Sequence, residues 1–157
     1  MLLSLSFLSS FTLAKDNLGY LVVCLPLPKR EQVQDVVITV EDKLESIVAV
    51  LIDCGEADAV VRAMKKIQQF HYRSRPIQIQ AILSTHKHHD HTGGNSDFMK
   101  HEMGSRISRV YAGAVERVPH CTHPLVNGDK IELPKSGSND MNQLVEIEAV
   151  AVPAHTR

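Results

Sequence analysis

The sequence predicts an α/β protein in which mixed β-sheets carry α-helices on their outer faces. Segments with the composition of strands outnumber segments with helical periodicity. One stretch, residues 56–70, repeats its apolar side chains at helical spacing, and a strand over residues 77–83 leads straight into a histidine-rich loop. At 157 residues the chain is long enough for one domain with a sizeable core.

Strands are predicted in the N-terminal third of the chain. Residues 7–13 and 20–25 have the composition of strands. Residues 26–31 carry two prolines next to charged side chains, which predicts a loop. Residues 33–40 and 46–53 predict two further strands, which a polar turn would join as a hairpin.

An amphipathic helix and a buried strand are predicted for the middle of the chain. Within residues 56–70, five apolar side chains recur at helical spacing, namely Ala57, Val60, Val61, Met64 and Ile67. Residues 77–83 alternate and then run apolar, which predicts a strand that enters a core. A short helix is predicted over residues 96–103. The loop between this strand and this helix is the kind of segment on which a rigid scaffold carries chemistry.

Three more strands are predicted for the last third of the chain. They span residues 109–112, 130–133 and 144–152, and the last of them shows clear alternation of apolar side chains. Residues 134–142 are polar and rich in turn formers, which predicts an exposed loop. His123 stands directly before a proline and is expected to lie in a loop.

Charge and composition argue against two classes of partner. The formal net charge of −1 gives no broad basic surface for nucleic acid. The apolar run at residues 1–14 is too short for a membrane span. We interpret residues 1–12 as a first strand or a targeting segment and residues 13–157 as the domain. Three scattered cysteines fit a reducing compartment.

Residues 85–95 carry the clearest chemical signal of the chain. They place four histidines and one aspartate within six consecutive positions. Read as His-x-His-x-Asp-His, the run supplies two imidazoles for one metal ion (His86, His88) and a carboxylate and an imidazole for a second (Asp90, His91). Imidazole nitrogen and carboxylate oxygen suit Zn²⁺ and similar divalent ions. Such ions lower the pKa of bound water toward neutrality, so the pattern predicts metal-assisted hydrolysis.

This run resembles the Thr-His-x-His-x-Asp-His-x-Gly-Gly signature of the metallo-β-lactamase superfamily. Its Gly-Gly-Asn ending resembles the glyoxalase II (hydroxyacylglutathione hydrolase) branch. Three other segments are similar to the same branch: residues 51–57 to a strand that ends in Val-Asp-x-Gly, residues 109–124 to the stretch after the metal loop, and residues 152–156 to a Thr-Pro-x-His-Thr motif. The resemblance implies a four-layer αββα sandwich, of which this chain would carry the N-terminal portion.

The resemblance also implies a ligand set, a metal and a substrate class. The implied ligands are His86, His88 and His155 for a first ion and Asp90 and His91 for part of a second site, with Asp90 also counted as catalytic. Zinc is the expected metal, as one or two ions, with iron or manganese as alternatives. The expected substrate is a small-molecule thioester such as an S-(hydroxyacyl)glutathione, whose thiolate leaves without a strong general acid. A cytoplasmic or mitochondrial location is expected, without nucleic-acid or membrane partners, and the oligomeric state stays open.

Alternatives to this interpretation remain open. In the resembled family a bridging aspartate and a further histidine come later than Arg157, so we expect a domain that is incomplete at its C-terminal end, as a fragment or as a chain completed by a partner. A non-catalytic metal-binding protein is therefore one alternative. A persulfide dioxygenase with a single iron is another, although the Gly-Gly-Asn ending favours the hydrolase branch. Asp53, at the end of a predicted strand, is expected to orient a metal ligand or to cap the following helix.

Overall fold

A computed structural model describes residues 7–14, 17–23, 46–71, 75–134 and 144–152. Its elements, in chain order, are β1 Phe7–Ala14, β2 Asn17–Val23, β3 Ile47–Ile52, α1 Ala57–His71, β4 Ile77–Ser84, α2 His89–Thr92, α3 Asn95–Lys100, β5 Arg109–Gly113, β6 His123–Leu125, β7 Lys130–Pro134 and β8 Leu144–Glu148.

Six of the strands form one mixed sheet in the order β1-β2-β3-β4-β5-β6. The pairs β1–β2 and β2–β3 are antiparallel, whereas β3–β4, β4–β5 and β5–β6 are parallel. The carboxyl ends of β3, β4 and β5 therefore meet at one edge of the sheet, which is where open α/β sheets place their ligand sites. Asp53, Thr85 and Ala114 are the first residues beyond these three strand ends.

One face of this sheet packs against the helices and holds most of the core. Side chains of β2, β3, β4 and β5 point to this face, largely from alternate positions, because successive side chains of a strand point to opposite sides. The apolar stripe of α1 meets them, as the helical spacing predicts, and Phe98 from α3 closes the cluster. The fully buried side chains of this cluster include Leu21, Ile47, Leu51, Val60, Met64, Ile79, Ile82 and Phe98.

A bulge in β4 explains why its sequence alternates first and then runs apolar. Ala49 pairs with Ile79, but the next residue of β3, Val50, pairs with Ala81, so Gln80 is an extra residue in the ladder. The bulge exchanges the two faces of the strand. Ile79 and then Ile82 belong to the helix-side core, while Ala81 belongs to the cluster on the opposite face.

The opposite face of the sheet is covered by β7 and β8, which pair antiparallel as a separate two-stranded sheet. Ile131 and Leu133 of β7 pack on Val50, Ala81 and Tyr111 of the large sheet. The described residues thus form a helical layer, a large sheet and a small sheet. This arrangement is compatible with the αββα sandwich implied above, whose fourth, helical layer has no counterpart among the residues described.

Most predicted elements that fall on described residues are confirmed, including both helices and the strands at β1, β3, β4, β5 and β7. Two predictions were wrong. The segment at His123 and Pro124 is not a loop but the short strand β6, and proline fits there because β6 is an edge strand. The last strand ends at Glu148 rather than at residue 152, because the backbone after it bonds to the 127–129 turn.

Other predictions fall outside the described residues. The loop at residues 26–31 and the strand at 33–40, with its hairpin turn, lie there. The division of the chain at residue 12 stays a prediction. None of the helices described is long and apolar enough to cross a membrane.

Candidate metal centre

The histidine-rich run lies at the carboxyl edge of the large sheet. Thr85 to His88 form a bend directly after β4, and the single-turn helix α2 follows without a break. The hydroxyl of Thr92 and the backbone N–H of Thr92 both donate to the carbonyl of His88, at 3.1 Å each. These bonds fix the end of the bend, so the side chains of the run are presented from a constrained backbone.

His86 and His88 bring two ring nitrogens together. Nε2 of His86 lies 3.0 Å from Nδ1 of His88, and the ring centroids are 4.6 Å apart. The ring of His91 lies on the other side of His86, with a centroid separation of 4.1 Å. Three of the predicted metal-ligating histidines are therefore neighbours in space, whereas a continuous strand would have placed His91 on the face opposite His86 and His88.

Asp53 is the anchor of this cluster. It follows β3 in the left-handed backbone region, with φ of 57°, which aspartate tolerates better than most residues. Its carboxylate is buried and accepts three hydrogen bonds: from the backbone N–H of Thr85 at 2.8 Å, from the Thr85 hydroxyl at 2.9 Å and from Nδ1 of His91 at 2.7 Å. Asp53 therefore does not cap α1, which begins four residues later at Ala57; it orients a histidine, the other role expected for it.

The hydrogen bonds of Asp53 assign the protons of two histidine rings. An ionised carboxylate only accepts, so Nδ1 of His91 carries the proton and Nε2 carries the lone pair. The Thr85 hydroxyl donates its single proton to Asp53 and so accepts from Nδ1 of His86, 3.0 Å away. Nε2 of His86 therefore carries a lone pair, which accepts a hydrogen bond from Nδ1 of His88, 3.0 Å away. A single carboxylate thus sets both rings in the tautomer that a metal ion needs.

Asp90 lies beside His91 on α2. Its Oδ2 is 3.8 Å from Nε2 of His91, and its side chain is exposed. The spacing brings one carboxylate oxygen and one imidazole nitrogen to the same side of the loop. These are the two ligands that the sequence predicts for a second ion.

The donors fit a zinc ion in type and in spacing. With metal–nitrogen bonds of about 2.0–2.1 Å, two ligands of a tetrahedral zinc lie about 3.4 Å apart. The nitrogens of His86 and His88 lie 3.0 Å apart, a hydrogen-bond distance that is slightly shorter than this value. Within the part of the chain that the structure describes, no three histidine, cysteine, aspartate or glutamate side chains form a complete ligand set. His155, the third ligand predicted for the first ion, lies outside the described residues.

Two glycines allow the loop to lie close to its neighbours. A Cβ atom on Gly55 would be 1.8 Å from the carbonyl oxygen of Asp90, and one on Gly94 would be 2.6 Å from the backbone nitrogen of Ala57. Backbone hydrogen bonds join the same two segments. The N–H of Cys54 donates to the carbonyl of His91, and the N–H of Gly94 donates to the carbonyl of Cys54, both at 2.8 Å. The strand end at β3 is thereby fastened to α2, which holds His91 near Asp53.

Buried polar groups complete the support of the loop. The Asn95 side chain is fully buried and its Nδ2 donates to the Ser84 hydroxyl at 3.2 Å, which ties the start of α3 to the end of β4. Cys54 is buried next to Asp53. Burial, reinforced by the negative charges of Asp53 and Asp97, raises the pKa of the Cys54 thiol to about 12, so this thiol stays protonated at neutral pH.

The remaining polar residues near the loop do not join the histidine cluster. His89 is exposed and its ring lies against Gly93. His123 packs on Tyr111 with a centroid separation of 5.1 Å, and its Nδ1 is 2.7 Å from the Thr122 hydroxyl. The backbone N–H of Lys87 donates a hydrogen bond to the Glu116 carboxylate at 3.3 Å.

Sequence reasoning did not assign roles to Thr85 and Glu116. Thr85 carries a weak signal because it stands directly before the first histidine, where a hydroxyl can reach that ring. Glu116 carries none, since it is 29 residues from Lys87 and reaches the loop only through the parallel pairing of β4 and β5.

Comparison with known proteins agrees with this geometry. Residues 48–110, which run from β3 to β5, match the family model of the metallo-beta-lactamase superfamily. The chain belongs to the metallo-β-lactamase superfamily. The superfamily implies binding of a divalent metal and is consistent with the mixed sheet and helices described above.

Within the superfamily, the chain is similar to curated proteins named hydroxyacylglutathione hydrolase. The chain is 37% identical over 109 residues to a hydroxyacylglutathione hydrolase of Nitrosomonas europaea, an alignment that covers 69% of this chain and 34% of that protein. It is 32% identical over 108 residues to the protein of that name from Nitrosomonas eutropha, covering 69% of this chain and 35% of the relative. It is 30% identical over 109 residues to a protein of Arabidopsis thaliana named hydroxyacylglutathione hydrolase cytoplasmic, with 69% and 35% covered. The chain thus spans about a third of the length of the curated relatives it matches.

Proposed function

We propose that this chain carries the metal-binding part of a thioester hydrolase active site of the glyoxalase II type. The observation that carries the proposal is the pair of nitrogens, Nε2 of His86 and Nδ1 of His88, held 3.0 Å apart at the carboxyl edge of the sheet. Zinc is the metal that this donor set suits best. The relatives named hydroxyacylglutathione hydrolase support a thioester of glutathione as the substrate class.

Each residue of the loop has a separate task in this proposal. His86, His88 and His155 would hold a first ion, and Asp90 and His91 would contribute to a second. Bound zinc supplies a Lewis acid that lowers the pKa of water toward neutrality and stabilises negative charge on the substrate oxygen. Thr85 and Asp53 hold protons on the Nδ1 atoms of the first and last histidines of the loop, so that each Nε2 keeps its lone pair.

The chemistry of a thioester suits the groups that the loop offers. Hydrolysis releases a thiolate, and a free thiol has a reference pKa of about 8.5. A leaving group of that acidity departs without a strong general acid. Asp90, exposed beside His91, is then needed as a metal ligand and a positioner of water rather than as a proton donor.

Zinc binding and hydrolysis by the 157-residue chain test the proposal. Zinc affinity is measured by competition with a chromophoric chelator, and turnover by the appearance of thiol from an S-(hydroxyacyl)glutathione. We expect His88→Ala to lower zinc affinity by about 100-fold, because it removes one of the two paired nitrogens. His89→Ala is the matched control, since its ring lies against Gly93 in the same loop, and it should bind zinc as the unaltered chain does.

The two measurements separate the parts of the proposal. A folded chain that binds no zinc, or a His88→Ala variant that binds it as well as the unaltered chain, contradicts the metal site. A chain that binds zinc through His88 but releases no thiol is a metal-binding protein without the hydrolase activity.

A further inference from the structure

The backbone between the two paired histidines is held by a side chain from a distant strand end. The N–H of Lys87 donates to Oε2 of Glu116 at 3.3 Å, across 29 residues of sequence. Lys87 is the residue between His86 and His88, so its peptide plane sets the separation of their two Cα atoms. No helix or strand bond holds this N–H, because residues 85–88 form a bend that belongs to neither type of element.

The backbone of Glu116 is held by the turn in which it lies. It closes the turn after β5, where its own N–H donates to the Gly113 carbonyl at 2.9 Å. The N–H of Ala114 donates to Leu125 at 2.8 Å, which fastens the same turn to β6. The next residue, Arg117, has a φ of 51°, a conformation that residues with side chains rarely adopt. Val118 is then buried, so the turn has fixed neighbours on both sides.

The loop therefore has three separate supports. Asp53 holds the N–H of Thr85 before the histidine pair, and Thr92 holds the carbonyl of His88 after it. Glu116 holds the N–H of Lys87 in the middle. The first two supports also serve the strand end and α2. The bond to Glu116 acts on the Lys87 N–H, while the Thr92 hydroxyl reaches the Lys87 carbonyl at the longer distance of 3.5 Å.

We propose that Glu116 is a positioning residue that sets the spacing of His86 and His88 through the backbone N–H of Lys87. The inference rests on the proposed metal site and adds a specific residue to it. Glu116 acts through another residue, so its effect is on metal affinity and on the order of the bend, and its own side chain is not a ligand. Its carboxylate oxygen is the required acceptor.

Two variants separate the hydrogen bond from the charge. Glu116→Ala removes the acceptor, whereas Glu116→Gln removes the charge and keeps an oxygen that can accept. Glu102→Ala, at an exposed glutamate beyond α3, is the matched control. Two properties are measured: amide hydrogen exchange at Lys87 in the metal-free chain, and zinc affinity by chelator competition. We expect Glu116→Ala to raise the exchange rate of Lys87 and to lower zinc affinity by about 10-fold, the effect of losing an outer support of a metal ligand.

The conservative variant and the control variant also have definite expected results. Glu116→Gln should restore both properties to within about threefold of the unaltered chain, and Glu102→Ala should leave both unchanged. The inference is overturned if Lys87 exchange is unchanged in Glu116→Ala, if exchange rises while zinc affinity stays the same, or if Glu116→Gln behaves like Glu116→Ala. Failure of the proposed function has a different result. The unaltered chain would then bind no zinc, although amide exchange at Lys87 would still respond to Glu116→Ala.

Discussion

Asp53 and His91, 38 residues apart in sequence, are joined by a 2.7 Å hydrogen bond between the carboxylate Oδ2 and the ring Nδ1. The bond is possible because β3 and β4 run parallel, so that their carboxyl ends deliver both residues to one edge. Asp53 is 3% exposed, and a hydrogen bond in such surroundings is stronger than one in water. It fixes both the orientation and the tautomer of His91.

Replacement of Asp53 by asparagine should weaken both the fold and the metal site. Asparagine tolerates the φ of 57°, so backbone strain does not change. It has one acceptor oxygen, whereas three donors converge on the two oxygens of Asp53. We expect the free energy of unfolding to fall by about 1–3 kcal/mol, the cost of leaving a buried donor unpaired. Denaturant titration measures this change.

The same variant should bind zinc about 10- to 100-fold more weakly, because His91 and His86 lose the partner that sets their tautomers. Asp97→Asn is the control, since that carboxylate is exposed and pairs with the exposed Lys100. If Asp53→Asn were as stable as the unaltered chain and bound zinc equally well, the anchoring role of this carboxylate would be wrong.

A methyl group at Gly55 should disrupt the loop, whereas one at Gly93 should be tolerated. The Cβ of Gly55→Ala would be 1.8 Å from the carbonyl oxygen of Asp90, and the atoms it meets are backbone, which cannot turn away as a side chain can. The Cβ of Gly93→Ala would meet only the ring of His89, an exposed side chain that can turn away. We expect Gly55→Ala to cost at least about 1–3 kcal/mol of stability, in the range of overpacked sites. Equal unfolding midpoints for the two variants would contradict the close approach of β3 and α2.

The two described cysteines should differ in reactivity. Burial raises the pKa of the Cys54 thiol to about 12, so it stays protonated and shielded at neutral pH, and Cys121 is half-buried. Since the thiolate is the nucleophile, an alkylating reagent applied to the folded chain should modify Cys121 and spare Cys54. Peptide mapping by mass spectrometry reads each site separately. Rapid modification of Cys54 in the folded chain would show that the strand end at β3 opens readily.

The raised pKa of Cys54 also predicts how stability depends on pH. The folded chain keeps this proton up to about pH 12, whereas the thiol of the unfolded chain has its ordinary pKa of 9.0. The folded state therefore binds more protons between these values, so the stability contributed by this thiol is present below about pH 9 and is lost as pH rises. Unfolding measured at about pH 8 and about pH 10 should show a smaller loss in Cys54→Ala than in the unaltered chain.

Periodicity and local sequence signals were enough to predict the elements that precede the histidine-rich loop at residues 85–95. The helical spacing of Val60, Met64 and its neighbours predicted α1, and the apolar run at residues 77–83 predicted β4. The bulge at Gln80 could not be predicted, because a single extra residue moves the following side chains to the other face of the sheet without changing the composition of the strand. β6 was missed for a related reason: three residues that include a proline carry too little pattern to indicate a strand.

The clustering of the candidate ligands was predictable because they are adjacent in sequence, whereas their distant supports were not. That His86, His88, Asp90 and His91 bind metal stays a prediction from their residue types at that spacing. Glu116 contacts the loop only because β5 pairs parallel to β4, and no local pattern reports such a pairing. The tautomers of the rings likewise depend on the Thr85 hydroxyl and Asp53, whose hydrogen bonds exist only in the folded chain.

Truncation of Phe98 should show how far the loop depends on the helix that follows it. Phe98 is 0% exposed and packs in the helix-side core, and α3 begins directly after the glycine pair of the metal loop. Phe98→Ala should lower the free energy of unfolding by about 3–5 kcal/mol through lost burial and a cavity. Phe70→Ala is the matched control, since that ring is 73% exposed and its loss should cost no more than about 0.5 kcal/mol. Similar unfolding free energies for the two variants would mean that α3 does not anchor the loop, because its largest apolar side chain would then contribute no more than a surface ring.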